Sequence, residues 1–220
     1  MVGMKDNRGF EKVIEIGESE VEESEAIYEF FETIYNLKPT IIGGYNSSNF
    51  DWNWIFKRAE ILQMDTTRFK TLNPSQGYKI NDGVLKLGAE IEDYKQIKIW
   101  GCNSLDIAHA VRRAQTINSE IKSWGLKYIT KFTNSEKPNR VYVKGDKIAS
   151  TYRENKEFYL NIENGKYKPV GGEGLYNIDK KFPEVYQKVG GAEIVERYLM
   201  DDLWETMEVD DQFNQASFLL

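Results

Sequence analysis

Two short segments of the 220-residue sequence carry side chains that could act together in catalysis. The first follows a predicted strand and presents an amide, an aromatic ring and a carboxylate at Asn46, Phe50 and Asp51. Ligands of open α/β sheets tend to bind at this end of a strand. The second segment places Tyr198 and Asp202 four residues apart, so that on a helix they share one face. A phenol and a carboxylate in this arrangement could hold a metal-bound water between them.

The composition limits which metals such residues could bind. The chain has one cysteine, Cys102, and one histidine, His109, beside 35 acidic residues. These counts exclude an internal disulfide framework, a cysteine-based metal cluster and a multi-histidine zinc site. Any metal site must therefore rest on oxygen ligands, which favour magnesium, manganese or calcium.

Each segment also has a simpler structural explanation. The first could be an ordinary helix start, with Ser48 or Asn49 as N-cap and Asp51 favoured by the helix dipole. The second could be part of an amphipathic helix in which Tyr198 packs and the aspartates are solvated. Taken one at a time, the two segments favour these explanations.

The surrounding sequence predicts an α/β fold, because strand patterns alternate with helical ones. A capping box at Ser19 and Glu22 begins the first helix. Asn164-Gly165 is a strong turn signal, and we expect a β-hairpin insertion over residues 138–176. The predicted elements are strands at 13–16, 40–45 and 97–100, helices at 19–36, 51–63, 105–114, 120–132 and from about 193, an irregular stretch with short strands at 64–96, and β-like runs at 141–143 and 158–162.

Together, the two segments resemble the second and third exonuclease motifs of phage-like family B DNA polymerases, whose proofreading domain belongs to the DEDD nuclease superfamily. Asn46, Phe50 and Asp51 match the second motif, and Tyr198 and Asp202 match the third. The order, the spacing and the flanks of the motifs make the resemblance fairly specific over most of the chain. The similar flanking segments are 38–46, 105–107, 126–129 and 202–220.

The resemblance implies a ribonuclease H-like mixed sheet flanked by helices and two-metal hydrolysis of the 3′-terminal phosphodiester of DNA. It implies that Asp51 and Asp202 are ligands of Mg²⁺ or Mn²⁺, and that Tyr198 orients the attacking water. Asn46 and Phe50 would hold the terminal nucleotides. The implied partners are a single-stranded DNA 3′ end or primer-template DNA and the remainder of the polymerase, in the cytoplasm of a bacterial or phage-infected cell, without a membrane.

The family's first motif, Asp-x-Glu, is the main departure from this pattern. No Asp-x-Glu precedes the first helix, and Glu90-Ile91-Glu92 lies after the second motif. We therefore expect residues 1–220 to be an incomplete exonuclease-like domain that lacks N-terminal strands. We expect weak metal binding and impaired activity, and an unpaired edge on the strand at 40–45.

Two other interpretations remain open from the sequence. The chain could be a non-catalytic nucleic-acid-binding or structural module of the same fold, or an exoribonuclease of the same superfamily. A basic region over residues 112–153 has ten lysines and arginines against three acids, with aromatic residues between them. This pattern suits single-stranded DNA, although solvated lysines and core aromatics would give it equally well. The exonuclease hypothesis predicts that Asp51 and Asp202 converge on one cleft.

Overall fold

The computed structural model describes residues 1–73, 75–154, 156–172, 175 and 177–213. The chain divides into two compact units. The first consists of Met1–Asn134 together with the segment from Thr206, and the second is Ser135–Glu205. No helix of the described residues has the length and apolar character needed to cross a membrane.

The first unit contains six strands and four longer helices among its described residues up to Asn134. In chain order they are β1 (Val2–Lys5), β2 (Glu11–Ile14), α1 (Glu20–Leu37), β3 (Ile41–Gly44), α2 (Asp51–Ile61), β4 (Tyr78–Leu87), β5 (Glu90–Ile99), β6 (Asn103–Asp106), α3 (Ile107–Ile117) and α4 (Leu126–Phe132).

Helix α1 forms as its sequence predicts. The Ser19 side chain accepts a hydrogen bond from the backbone of Glu22, whose carboxylate in turn accepts from the Ser19 backbone. The inner face buries Ile27, Phe30, Phe31 and Ile34. Phe31 has no exposed surface and stacks on Phe69 at 4.1 Å between ring centroids. Burial of one such ring contributes about 1.5–3 kcal/mol, so this face anchors α1 in the core.

Strands β3 and β6 form the parallel pair on which the first motif depends. Their register places Gly44 opposite Asp106, and each strand leads toward a helix, α2 or α3. The second edge of β3 has no partner among the described strands. Parallel pairs bring their carboxyl ends to the same side of a sheet, so residues after Gly44 and at Asp106 lie close together.

The most prominent antiparallel pair lies where the sequence analysis expected an irregular stretch. Strands β4 and β5 pair over ten residues each and turn at Gly88, whose φ of +63° suits the first position of a two-residue hairpin turn. Leu85, Leu87, Ile97 and Ile99 face inward. The prediction of an irregular 64–96 with short strands was wrong in the length of the strands, because charged residues on the outer face masked this alternation.

Other boundaries also differ from the predictions. Strand β1 was not predicted, and it pairs with β2 in an antiparallel ladder. The helix expected at 120–132 is confined to α4, and 118–125 is irregular. Helix α2 has Phe50 at its N-cap position without a side-chain cap, so Ser48 and Asn49 are not its caps.

The second unit contains a three-stranded antiparallel sheet, in which β7 (Glu157–Asn161) lies between β8 (Tyr167–Pro169) and β9 (Tyr186–Gly190). Gly165 follows β7 with a φ of +68°, and a Cβ at this position would lie 2.0 Å from the Arg140 carbonyl oxygen. In chain order, the elements of the second unit are α5 (Ile148–Arg153), β7, β8, α6 (Ile178–Lys181), β9 and the start of α7 (Gly191–Phe213).

The predicted insertion at 138–176 falls within this unit. Strands β7 and β8 flank the Asn164-Gly165 turn, but 141–143 is not a strand. Val141 and Val143 are nevertheless buried in the core of this unit with Phe158, Leu160 and Ile194. A projecting hairpin that acts on DNA stays a prediction.

The observed elements give a mixed α/β fold, as the sequence predicted, and they are consistent with a ribonuclease H-like exonuclease domain. Helix α7 begins near the predicted residue and ends at Phe213. The part of the resemblance that covers 214–220 lies outside the described residues.

Candidate active site

The segment from Asn46 to Asp51 forms a tight turn between β3 and α2. Asn46 adopts a left-handed conformation with a φ of +58°, and its carbonyl accepts from the backbone N–H groups of Asn49 and Phe50 at 3.3 and 3.2 Å. A short polar side chain tolerates this conformation better than a branched one. The turn places Asp51 at the first position of α2.

A buried carboxylate from the neighbouring strand holds this turn. Asp106 accepts hydrogen bonds from the backbone N–H groups of Asn46 and Ser48, at 2.8 and 2.9 Å. The same carboxylate accepts from the N–H of Ala108 at 3.2 Å and thereby caps α3. Asp106 is thus the N-cap of α3, and its bonds to the turn are additional.

Asp51 keeps an exposed surface at the head of α2. Surrounding protein atoms displace part of its hydration and raise its pKa to about 6, and the negative charge of Asp106 adds to the effect. A carboxylate in this state is stabilised by a bound cation, because the cation offsets both the lost hydration and the repulsion.

Asn46 and Phe50 precede Asp51 in the same segment. The Phe50 side chain is 67% exposed, which is unusual for a phenylalanine and leaves its ring available for stacking. Asn46 is half-buried, and its side-chain oxygen accepts from the Asn49 amide at 3.2 Å. The first segment therefore joins an accessible ring to an accessible carboxylate.

Tyr198 and Asp202 lie on α7 in the second unit. The Tyr198 phenol is hydrogen-bonded to the Asp202 carboxylate. Burial raises the pKa of Tyr198, and the adjacent Asp202 charge raises it further. The phenol therefore stays protonated at neutral pH, when it donates to Asp202 and can accept a hydrogen bond from water.

The sequence analysis missed the buried charges around this pair. Arg140, which is only 3% exposed, forms ion pairs with both Asp202 and Glu205. Lys137 pairs with Asp201, and the N–H of Val141 donates to the same carboxylate at 2.8 Å. Arg140 was counted among the basic residues of 112–153, but its guanidinium is inside the protein.

The aspartates of this helix are therefore not simply solvated. Asp201 is 3% exposed and Glu205 has no exposed surface. Both are compensated by cations that lie more than 60 residues away in the sequence. No local pattern in the sequence could have identified these partners.

The residues present fit a divalent cation in part. Asp51 is an exposed carboxylate that ionises with difficulty, and carboxylate oxygens are the ligands that Mg²⁺ and Mn²⁺ prefer. The Asp202 carboxylate is already paired with Arg140, which leaves less negative charge for a metal. Among the described residues there is no cluster of three or more potential metal ligands, and the 220 residues contain no Asp-x-Glu.

Asp51 and Asp202 belong to different compact units. Their convergence on one cleft stays a prediction.

The chain matches a known protein family. The family model described as "DNA polymerase family B, exonuclease domain" matches residues 4–129, which is more than half of the chain. The matched residues include the turn at Asn46–Asp51 and the Asp106 carboxylate that holds it. No curated protein matched the chain.

Proposed function

The chain belongs to the exonuclease-domain family of family B DNA polymerases, and we propose that Asp51, Tyr198 and Asp202 are its catalytic residues, with Asn46 and Phe50 binding the substrate. The activity of this family is 3′→5′ exonucleolytic proofreading on DNA. The observation that carries the assignment of residues is the exposed Phe50–Asp51 pair at the head of α2, inside the matched region.

Exonuclease domains of this family depend on divalent metal ions, and we assign Mg²⁺ or Mn²⁺ as the cofactor. Asp51 and Asp202 would contribute the carboxylates of this chain to the metal. When bound, the metal would help to ionise water and would stabilise the charge that develops on the phosphate. Because two carboxylates hold Mg²⁺ poorly without help from substrate phosphates, we expect metal and DNA to bind together.

Tyr198 positions the attacking water in this proposal. Its protonated phenol donates to Asp202, so the phenolic oxygen faces the water as an acceptor. A water held in this way presents a lone pair toward the terminal phosphate. Tyr198→Phe should therefore slow cleavage while DNA binding persists.

The substrate proposed is the single-stranded 3′ end of DNA, either free or frayed from a primer-template. A base can stack on the exposed Phe50 ring, and base–aromatic stacking contributes about 1–3 kcal/mol per base. The remainder of the polymerase is the proposed protein partner. We place the reaction in the cytoplasm of a bacterial or phage-infected cell.

A second candidate is a non-catalytic DNA-binding module of the same fold. It is favoured by the Arg140–Asp202 ion pair, which occupies a proposed metal ligand. Such a module would bind single-stranded DNA equally well with and without metal, and Asp51→Ala would not weaken that binding.

The test is a cleavage assay on labelled single-stranded DNA with Mn²⁺ or Mg²⁺. The proposal predicts slow, metal-dependent loss of nucleotides that Asp51→Ala abolishes. Asp211→Ala, at an exposed position near the end of α7, is the matched control and should leave the rate unchanged. Cleavage that survives Asp51→Ala would refute the assignment, and metal-independent binding without cleavage would favour the second candidate.

A further inference from the structure

The Asp106 carboxylate makes more backbone hydrogen bonds than a helix cap requires. Its bond to the N–H of Ala108 is the capping bond of α3. The bonds to Asn46 and Ser48 cross from the end of β6 to the turn after β3, about 60 positions earlier in the sequence. One side chain thus joins the ends of both parallel strands to the segment that leads into α2.

These bonds satisfy groups that water cannot easily reach. Asp106 is 5% exposed, and its donors Ala108 and Ser48 are 1% and 6% exposed, while Asn46 is half-buried. A buried N–H without a partner costs about 1–3 kcal/mol, so the turn depends on an acceptor at this position. A carboxylate can accept from several donors at once, which a hydroxyl or an amide cannot do as well.

An ion pair with the nearby histidine does not explain Asp106. The Nε2 atom of His109 lies 4.0 Å from Asp106 Oδ2, and this nitrogen has no hydrogen-bond partner among the described residues. Burial lowers the pKa of His109 and keeps the ring neutral at neutral pH. The ring instead packs edge-on against Tyr94 at 4.5 Å between centroids.

We propose that Asp106 is a positioning residue of the exonuclease site, which fixes the 46–48 turn and through it the place of Phe50 and Asp51. The inference rests on the proposed function of Asp51. It concerns a residue that contacts neither substrate nor metal in the proposal and that acts through the backbone. Loss of the carboxylate should let the turn relax while α2 and the sheet persist.

The experiment compares Asp106→Ala, Asp106→Asn and the control Ser19→Ala by amide hydrogen exchange in the full chain. Ser19 caps α1 in the same unit, far from the turn in the sequence, so its loss reports the cost of a missing cap alone. We expect faster exchange at Asn46 and Ser48 in Asp106→Ala, an intermediate effect in Asp106→Asn, and wild-type exchange at the turn in Ser19→Ala.

Kinetics then separate positioning from general destabilisation. Asp106→Ala should lower kcat for DNA cleavage by about 100-fold, because small displacements of a reacting group cost this much. KM for DNA should change far less, and Asp106→Asn should recover part of kcat. Ser19→Ala should keep the wild-type kcat.

The outcomes distinguish the two proposals. Unchanged exchange at the turn in Asp106→Ala overturns the inference, as does accelerated exchange with an unchanged kcat. A wild-type chain that cleaves no DNA would refute the proposed function of Asp51, and the exchange data would still decide whether Asp106 holds the turn.

Discussion

Removal of the Arg140 guanidinium should destabilise the protein more than any surface substitution. The Arg140 side chain is 1% exposed and pairs with Glu205, which has no exposed surface, and with Asp202. Arg140→Met keeps most of the apolar volume but leaves the Glu205 carboxylate buried without its cation. Breaking a buried pair in this way costs about 3–5 kcal/mol, a large fraction of a total stability of about 5–15 kcal/mol.

Two companion variants give this prediction its controls. Lys57→Met breaks an ion pair with Glu60 in which both side chains are mostly exposed, and it should cost about 0–1 kcal/mol. Glu205→Gln in the Arg140→Met background removes the orphaned charge and keeps an oxygen for the N–H of Lys137. This double variant should be more stable than Arg140→Met alone.

Urea denaturation followed by circular dichroism measures these differences. The midpoint of Arg140→Met should fall well below those of wild type and Lys57→Met. A loss below about 1 kcal/mol in Arg140→Met would refute the reasoning, since it would mean that Glu205 does not depend on the guanidinium. A double variant less stable than Arg140→Met would refute it as well.

Three further predictions concern the candidate site. The pKa of Asp51 is raised to about 6, so the folded protein loses stability as the pH rises from about 4 to 6 and Asp51 ionises. In EDTA, Asp51→Asn should therefore have a higher melting temperature than wild type at pH 7.5, and the difference should vanish at pH 3.5. Phe50→Ala should weaken binding of a single-stranded oligonucleotide by about tenfold in fluorescence anisotropy, whereas Phe182→Ala, which also removes an exposed ring, should not. The 220-residue chain should show weak Mn²⁺ binding by calorimetry and slow cleavage, because only two carboxylates, Asp51 and Asp202, are proposed as its metal ligands; robust activity would mean that other ligands exist.

Local patterns predicted the elements that depend on local physics. The capping box at Ser19 and the 3.6-residue spacing of Ile27, Phe30 and Ile34 located α1 correctly, because the cap and the buried face both depend on residues close together in the sequence. The apolar run at 41–44 likewise located β3. The β4–β5 hairpin also has a local pattern, an alternation of apolar and polar residues that is interrupted at Gly88. Its charged residues obscured this pattern.

Long-range pairs could not be predicted in the same way. On α7, the apolar residues Val195, Leu199, Leu203 and Met207 recur at i, i+4 spacing, yet of these only Val195 is buried. Asp201 and Glu205 are buried instead, since Lys137 and Arg140 meet them there. A charged residue can be buried where a residue of opposite charge compensates it, and that partner can be distant in the sequence.

The sequence supplied the residue types of the candidate site but not the contacts that hold them. The spacing of Asn46, Phe50 and Asp51 identified the segment through its resemblance to a known motif. The two N–H groups of the turn that donate to Asp106 are brought to it by the parallel register of β3 and β6, which no local sequence pattern predicts. A strand-end aspartate directly before a helix was the one available signal.

The most direct test of the exonuclease assignment is the polarity of cleavage. A single-stranded oligonucleotide labelled at its 5′ end is incubated with excess protein and Mn²⁺, and the products are resolved at single-nucleotide resolution. The account predicts a ladder that shortens from the 3′ end one nucleotide at a time and that is absent with Asp51→Ala. Internal cuts, release of the 5′ label first, or an identical ladder with Asp51→Ala would contradict it.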